Sequence, residues 1–261
     1  MRPVEGLLLD IDGVLVTSWE PIPGAIEAMD AFRAAGLPVC LITNTTTHTR
    51  TELAATLNAA GFKVDPSVIV TAVTATAEHL RRTHADAPVF VLSDGDARAD
   101  LEGVTLVDEA ADADVIVLGG ASRDFTYATI NEAFRRLMDG ASLVAMHRNL
   151  FWRTDAGLQL DAGAFLLGLE KAADTEAVVL GKPSGAFFAA ALSLLAVGRS
   201  EAVMVGDDLE ADVLGAQRAG ITGVLVRTGK YSDKDEEGED DDRPQHVVDS
   251  IADLPALLGL T

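Results

Sequence analysis

The sequence predicts an α/β fold, a Rossmann-like parallel-sheet core into which a second, smaller α/β unit is inserted. Three observations predict it. Short apolar runs of strand length alternate with segments of helical spacing along nearly the whole chain. Several of those runs end abruptly in polar residues, as strands of an open parallel sheet do where they face a ligand crevice. Between residues 83 and 160 the texture changes, with four strand candidates and one long amphipathic helix.

The first run is Leu7-Leu8-Leu9-Asp10-Ile11-Asp12-Gly13-Val14-Leu15. It reads as a buried strand that delivers two acids to its own end, with Gly13 free to turn the backbone; a strand followed by an Asx turn is the plainer alternative. Gly24 to Ala35 has helical spacing of Ile26, Met29 and Phe32 and stops at Gly36. A second strand, Val39 to Ile42, runs into Thr43-Asn44-Thr45-Thr46-Thr47 with a helical segment, Arg50 to Ala60, behind it. Hydroxyls and amides at such a junction suit a phosphate, though they equally suit an N-cap. Pro66 to His84 joins a short strand to a helix. Then come strand candidates Val89 to Ser93, Val104 to Val107, Val115 to Leu118 and Leu143 to Met146, with a helix over Tyr127 to Met138. Asn149 to Gly157 reads as a loop.

The first pattern resumes at Ala177 to Leu180, a strand running into Gly181-Lys182-Pro183-Ser184, followed by a helix from Phe187. Ala202 to Val205 ends in Gly206-Asp207-Asp208-Leu209-Glu210-Ala211-Asp212, and Gly223 to Val226 leads to Thr228-Gly229-Lys230-Tyr231. Neither lysine is followed by Ser or Thr, so neither stretch is a Walker phosphate loop, and no dinucleotide fingerprint occurs. Ser232 to Arg243 is rich in Asp and Glu and reads as a solvated loop. Gln245 to Val248 and Ala252 to Leu258 close the chain as a strand and a helix. The expected domains are therefore a core of residues 1–82 and 161–261 and an inserted unit of residues 83–160.

Composition narrows the function classes. Of 261 residues 48% are hydrophobic, enough for real cores, and no apolar run approaches the roughly 18 residues of a membrane span. The N-terminus lacks the basic and apolar regions of a signal peptide, so a soluble, cytoplasmic protein is expected. The single cysteine, Cys40, lies in an apolar run and reads as core filler. Acids outnumber bases 41 to 20, a net charge of −21, which repels nucleic acid and anionic membranes. The skew comprises 26 Asp, 15 Glu and 15 Arg with only 5 Lys, spread over the whole chain, and resembles the surface chemistry of proteins from halophilic archaea.

The polar strand ends make a constellation of acids, a hydroxyl and a lysine. Two carboxylates about 4 Å apart repel by roughly 4 kcal/mol at an effective dielectric of 20, so Asp10, Asp207 and Asp208 call for a cation. Hard oxygen ligands point to Mg²⁺, which leaves coordination positions for a substrate phosphate oxygen. Lys182 supplies a second positive charge, and Thr43 with Asn44 supplies hydrogen bonds. Asp10 is then a candidate nucleophile and Asp12 a candidate acid and base.

Asp10-Ile11-Asp12-Gly13-Val14-Leu15, Thr43-Asn44, Gly181-Lys182-Pro183 and Gly206-Asp207-Asp208 with Asp212 resemble, in this order, the four motifs of the haloacid dehalogenase (HAD) superfamily. The long insertion is similar to a class II, NagD-type cap. The segments Asn131 to Gly140, Asp155-Ala156-Gly157-Leu158 and Gly215-Ala216-Gln217 extend the likeness to the branch of phospholysine phosphohistidine inorganic pyrophosphate phosphatases. The resemblance implies a Mg²⁺-dependent phosphatase with Asp10 as nucleophile and metal ligand. It implies Asp12 as acid/base and, through its carbonyl, metal ligand; Thr43, Asn44 and Lys182 as phosphate-binding residues; and Asp207 as metal ligand. Asp208 and Asp212 are expected in supporting or capping roles, and Arg153 is the best candidate for a substrate contact from the inserted unit. Members of that branch often carry Ser where this chain has Asp12, which favours general phosphomonoesters over pyrophosphate or phosphorus–nitrogen bonds. Pairing of such caps implies a homodimer. A metal and phosphate sensor without catalysis is the reading from another class, and a metal-free dehalogenase is disfavoured by the crowd of acids.

Overall fold

The computed structural model describes residues 3–95, 97–154, 157–237 and 242–260. The chain divides into two compact units: unit 1 holds Met1–Thr43, Arg50–Val70 and Lys182–Thr261, and unit 2 holds Asn44–Thr49 and Thr71–Gly181. The insertion expected over 83–160 lies inside unit 2, which takes in flanking segments on both sides.

Unit 1 opens with β1 (Gly6–Asp10), followed by a small antiparallel hairpin, β2 (Val16–Thr17) with β3 (Glu20–Pro21). Helix α1 (Ala25–Ala34), β4 (Val39–Thr43), α2 (Arg50–Ala59) and β5 (Ile69–Thr71) come next. Its main sheet has six strands in the order β15-β14-β13-β1-β4-β5, where β13 is Ala202–Gly206, β14 Thr222–Val226 and β15 His246–Val248. Its pairings from β15 through β4 are parallel.

The reason β1 is an unbroken apolar run is that both faces of the sheet are covered. Leu7 and Leu9 join Leu41, Val203, Val205 and Val224 in a core closed by Phe32 of α1 and Leu57 of α2. On the other face, α6 (Gly185–Leu195) packs on β1 and β4 and buries Phe187 and Phe188. Cys40 is fully buried in β4, and burial pushes its thiol up to about 12, as befits an inert core residue. With β4 and β5 on one side of β1 and β13 and β14 on the other, the strand order reverses at β1, and Asp10 is its last residue.

Unit 2 is built on a second parallel sheet, order β12-β9-β8-β6-β7, where β6 is Val89–Leu92, β7 Leu106–Val107, β8 Val115–Leu118, β9 Ser142–Ala145 and β12 Val178–Val179. Alternate residues feed two cores. Val89, Val91, Val115 and Val117 pack with Val73, Ala77 and Leu80 of α3 (Ala72–Thr83). Phe90, Leu92, Ile116 and Leu118 pack with Leu137 of α4 (Tyr127–Met138) and with Leu166 and Leu169 of α5 (Ala162–Ala173). The apolar faces of α3 and α5 are thus what draw these helices into unit 2.

Two sequence expectations are corrected here. The strand at Val178–Val179 does not join the sheet of β1; it pairs with β9, because Val144 and Ala145 offer it a parallel edge. Lys182 therefore reaches unit 1 on the chain returning from the second sheet. The stretch expected to be a loop forms a hairpin, β10 (Phe151–Thr154) with β11 (Gly157–Leu160), paired Phe151 to Leu160 and Arg153 to Leu158.

Candidate active site

The strands of unit 1 bring acids together because adjacent parallel strands end at the same level. Asp10 closes β1, whose neighbours are β13 and β4. Gly206 closes β13, so Asp207 follows at the same edge. Asp10 stands opposite Ile42, which places Thr43 one residue further on at that edge. Beyond Asp207 the backbone winds into a π-helical turn, Leu209–Leu214, then α7 (Gly215–Arg218). Asp208 caps the turn by accepting from the Ala211 amide at 3.0 Å. The turn returns Asp212 to the strand end, where its Oδ2 accepts from the Asp208 amide at 3.2 Å.

The outcome is a buried cluster. One carboxylate oxygen each from Asp10, Asp207 and Asp212 lies within 4.8 Å of the others. Lys182 Nζ sits 2.7 Å from Asp10 Oδ1 and 2.6 Å from Asp212 Oδ1. Burial raises Asp10 above the usual carboxylate range, against the pull of Lys182. Burial, opposed by the Lys230 amide, pushes Asp207 up to about 6; burial, opposed by Lys182, does the same for Asp212. For Lys182 burial works towards a lower value, but Asp10 and Asp212 together outweigh it and hold the ammonium charged.

These residues fit a divalent cation. Three ionised carboxylates against one ammonium leave two negative charges uncompensated in a buried site. Asp207 Oδ1 is moreover buried with no hydrogen-bond donor, while its Oδ2 accepts from the Lys230 amide at 2.8 Å. An orphaned carboxylate oxygen in a cluster of hard ligands is open to a divalent cation.

The remaining residues of interest are distributed as follows. Asp12 lies in the turn after β1, exposed, and its carboxylate is outside the cluster; its backbone bridges to Val16. Asp208 leans outward to Lys230, whose Nζ is 3.1 Å from its Oδ2. The Ala211 amide and Lys230 lower Asp208 against the effect of burial. Asn44 belongs to unit 2, where its Oδ1 lies 2.7 Å from where a Cβ on Gly181 would stand. Arg153 is in β10, and its side chain lies outside the described residues, as do Asp155 and Ala156. Asp212 is the residue whose weight the sequence understated: five positions beyond Asp207, it comes back only through the π-helical turn. Thr228 and Lys230 were not legible as site residues at all.

Comparisons with known proteins identify the family. Residues 7–106 match the family described as Haloacid dehalogenase-like hydrolase, and residues 179–254 match HAD-hydrolase-like. The chain is 40% identical to haloacid dehalogenase-like hydrolase domain-containing protein 2 of Rattus norvegicus, over 90% of this chain and 89% of that one. It is 34% identical to a phospholysine phosphohistidine inorganic pyrophosphate phosphatase of Danio rerio, over 99% and 96%. Among solved structures it is similar to a p-nitrophenyl phosphatase from Archaeoglobus fulgidus, with 25% identity, TM-score 0.89 and coverage of 98% and 100%. It is also similar to NagD from E. coli K-12, with 29% identity, TM-score 0.87 and coverage of 96% and 98%. Acids gathered at the ends of β1 and β13, a lysine between them, and relatives matched over nearly their full lengths together show that the chain belongs to the haloacid dehalogenase-like hydrolases.

Proposed function

We propose that this protein is a Mg²⁺-dependent phosphatase that hydrolyses small phosphate monoesters through an aspartyl-phosphate on Asp10. The observation that carries the reading is the buried Asp10–Asp207–Asp212 cluster paired with Lys182, in which Asp207 Oδ1 has no donor. The phosphatase names of the relatives and structural neighbours support it.

In this reading a carboxylate oxygen of Asp10 attacks phosphorus and the bond from phosphorus to the ester oxygen breaks, while Asp12 gives its proton to the leaving alkoxide. Asp12 then takes a proton from water, the water oxygen attacks phosphorus, and the Asp10–phosphorus bond breaks to release inorganic phosphate. Exposure suits Asp12 to this work, since its proton must be exchanged with substrate and water in each turnover. Lys182 offsets negative charge beside Asp10, and Thr43 and Asn44 hold phosphate oxygens. Asp10, Asp207 and the Asp12 carbonyl would hold Mg²⁺, with Asp212 beside them; when bound, the ion neutralises phosphate charge and polarises the phosphorus–oxygen bonds. Substrate choice belongs to unit 2, with Arg153 as an anionic-group contact. Homodimerisation is part of the reading, supported by the exposed same-face residues Phe151, Leu158 and Leu160 of the β10–β11 hairpin.

Hydrolysis of pyrophosphate or phospho-amino acids is the second reading, favoured by the Danio rerio relative. The test is phosphate release from esters, pyrophosphate and phospho-amino acids in concentrated KCl, with Mg²⁺ and with EDTA. Metal-dependent release supports the phosphatase, and the ranking of substrates chooses between the two readings. A folded protein that binds Mg²⁺ and phosphate but releases none is a sensor. Asp10→Asn is expected to abolish turnover with the fold intact; retained activity would remove the covalent route.

A further inference from the structure

The segment Thr228-Gly229-Lys230 after β14 is not a Walker loop, and the proposed reaction gives it no part. In the structure it closes on the turn after β1 and on Asp207. The Lys230 amide donates to Asp207 Oδ2 at 2.8 Å, and the Thr228 hydroxyl donates to the Gly13 carbonyl. Gly229 has φ +60°, and a Cβ there would fall 2.0 Å from Asp207 Oδ2 and 2.7 Å from Gly13 Cα. From the other side, a Cβ on Gly13, at φ +82°, would also fall 2.0 Å from Asp207 Oδ2. One oxygen of Asp207 is thus wedged between two glycines and an amide, while the other is buried with no donor.

The loop is itself held from behind. Arg227 binds Glu236 with two nitrogens, at 2.8 and 3.1 Å, and Asp249 with a third at 2.7 Å. The Tyr231 hydroxyl donates to Glu236 at 2.6 Å. The first part of the acid-rich stretch therefore anchors the loop. A free carboxylate can exchange its two oxygens by rotation, whereas one pinned at Oδ2 presents Oδ1 in a single direction, as partners behind metal ligands do.

We propose that Thr228 and Lys230 are positioning residues of the carboxylate centre, the loop after β14 pinning Asp207 by Oδ2 so that Oδ1 is offered to a divalent cation. This rests on the metal-dependent reading above. Because the contact to Asp207 comes from the Lys230 backbone, the exposed ammonium on Asp208 is of minor weight. Thr228, in contrast, acts through its side chain.

The test is Mg²⁺ binding by titration calorimetry to the metal-free full chain, with the urea midpoint of the same metal-free protein measured alongside. Gly229→Ala is expected to weaken Mg²⁺ binding by about tenfold or more, the cost typical of a lost partner behind a metal ligand. Thr228→Val should weaken it in the same direction, with Thr228→Ser restoring the wild-type Kd. A merely structural role would lower the metal-free midpoint and leave the Kd alone, and that result overturns the proposal. Should Gly229→Ala fail to fold, the Thr228→Val and Thr228→Ser pair decides by itself. Wild-type binding matched by every variant overturns only the role of the loop. No Mg²⁺ binding by the wild type overturns the metal-dependent reading and this proposal with it.

Discussion

Asp10 and Asp12 are one residue apart, yet their surroundings are opposite, and this separates their expected behaviour. Asp10 is buried beside Lys182, whereas Asp12 is exposed. Asp12→Asn is expected to slow esters of poorly acidic alcohols by about 10²–10⁴-fold, the usual weight of general acid catalysis. It should slow p-nitrophenyl phosphate much less, since that leaving group needs little protonation; equal losses on both would refute the assignment. Asp207 yields a pH prediction. Its folded value is raised from 3.8 to about 6 by burial, so its contribution to the stability of the metal-free protein is fully present below 3.8 and lost as pH rises through 6. A cation can bind only the ionised form and offsets the loss. The rise in Tm on adding Mg²⁺ should therefore be larger at pH 7.5 than at pH 5, as differential scanning fluorimetry would show. An equal rise at both would mean that Asp207 is not a ligand.

At the scale of elements, the site is made by turns that follow strands. The turn after β1 carries Gly13 in a left-handed conformation with Asp207 packed on the place where its Cβ would be. Gly13→Ala therefore combines backbone strain, about 1 kcal/mol or more, with displacement of the carboxylate. Loss of Mg²⁺ binding larger than the loss in urea midpoint is the expected outcome; a variant with wild-type Kd would show that the turn is not needed to place Asp207. Helix α3 shows an element placed by its neighbours. Thr71 and Thr74 form a reciprocal capping box that starts it, and its apolar face packs on the second sheet. Its membership of unit 2 depended on which sheet received Val73, Ala77 and Leu80.

For the whole molecule the dominant quantity is charge. Residues of one sign exceed the other by 21, and the described ion pairs at the surface, such as Arg98–Asp108 and Arg218–Glu210, neutralise few of the acids. Such a surface repels itself when screening is weak, with a Debye length of about 10 Å at 0.1 M salt against roughly 3 Å at 1 M. Tm is expected to rise continuously from dilute to molar KCl, measured with Mg²⁺ held constant. A Tm unchanged or falling over that range would remove the reading of the acidic surface as an adaptation to salt. Among the described residues no helix is long and apolar enough to cross a membrane.

The sequence by itself determined the α/β class, most elements of both sheets, and the acids at the ends of β1 and β13. It could do so because each is a local property: an apolar run of strand length, a glycine that permits a turn, a carboxylate where the run stops. The resemblance in the four motifs identified the family on those same residues. Only the tertiary structure decided that Val178–Val179 pairs in the second sheet, since a two-residue strand carries no mark of its partner. The hairpin at Phe151–Leu160 was likewise hidden, because two four-residue strands are too short for alternation to stand out from a loop. Asp212 joins the cluster through a π-helical turn, and Lys230 reaches Asp207 through a backbone amide across 23 residues. Neither relation depends on spacing within a single element, and an amide has no side-chain identity to read. What decided both was the packing of separate strand ends at one edge of a sheet.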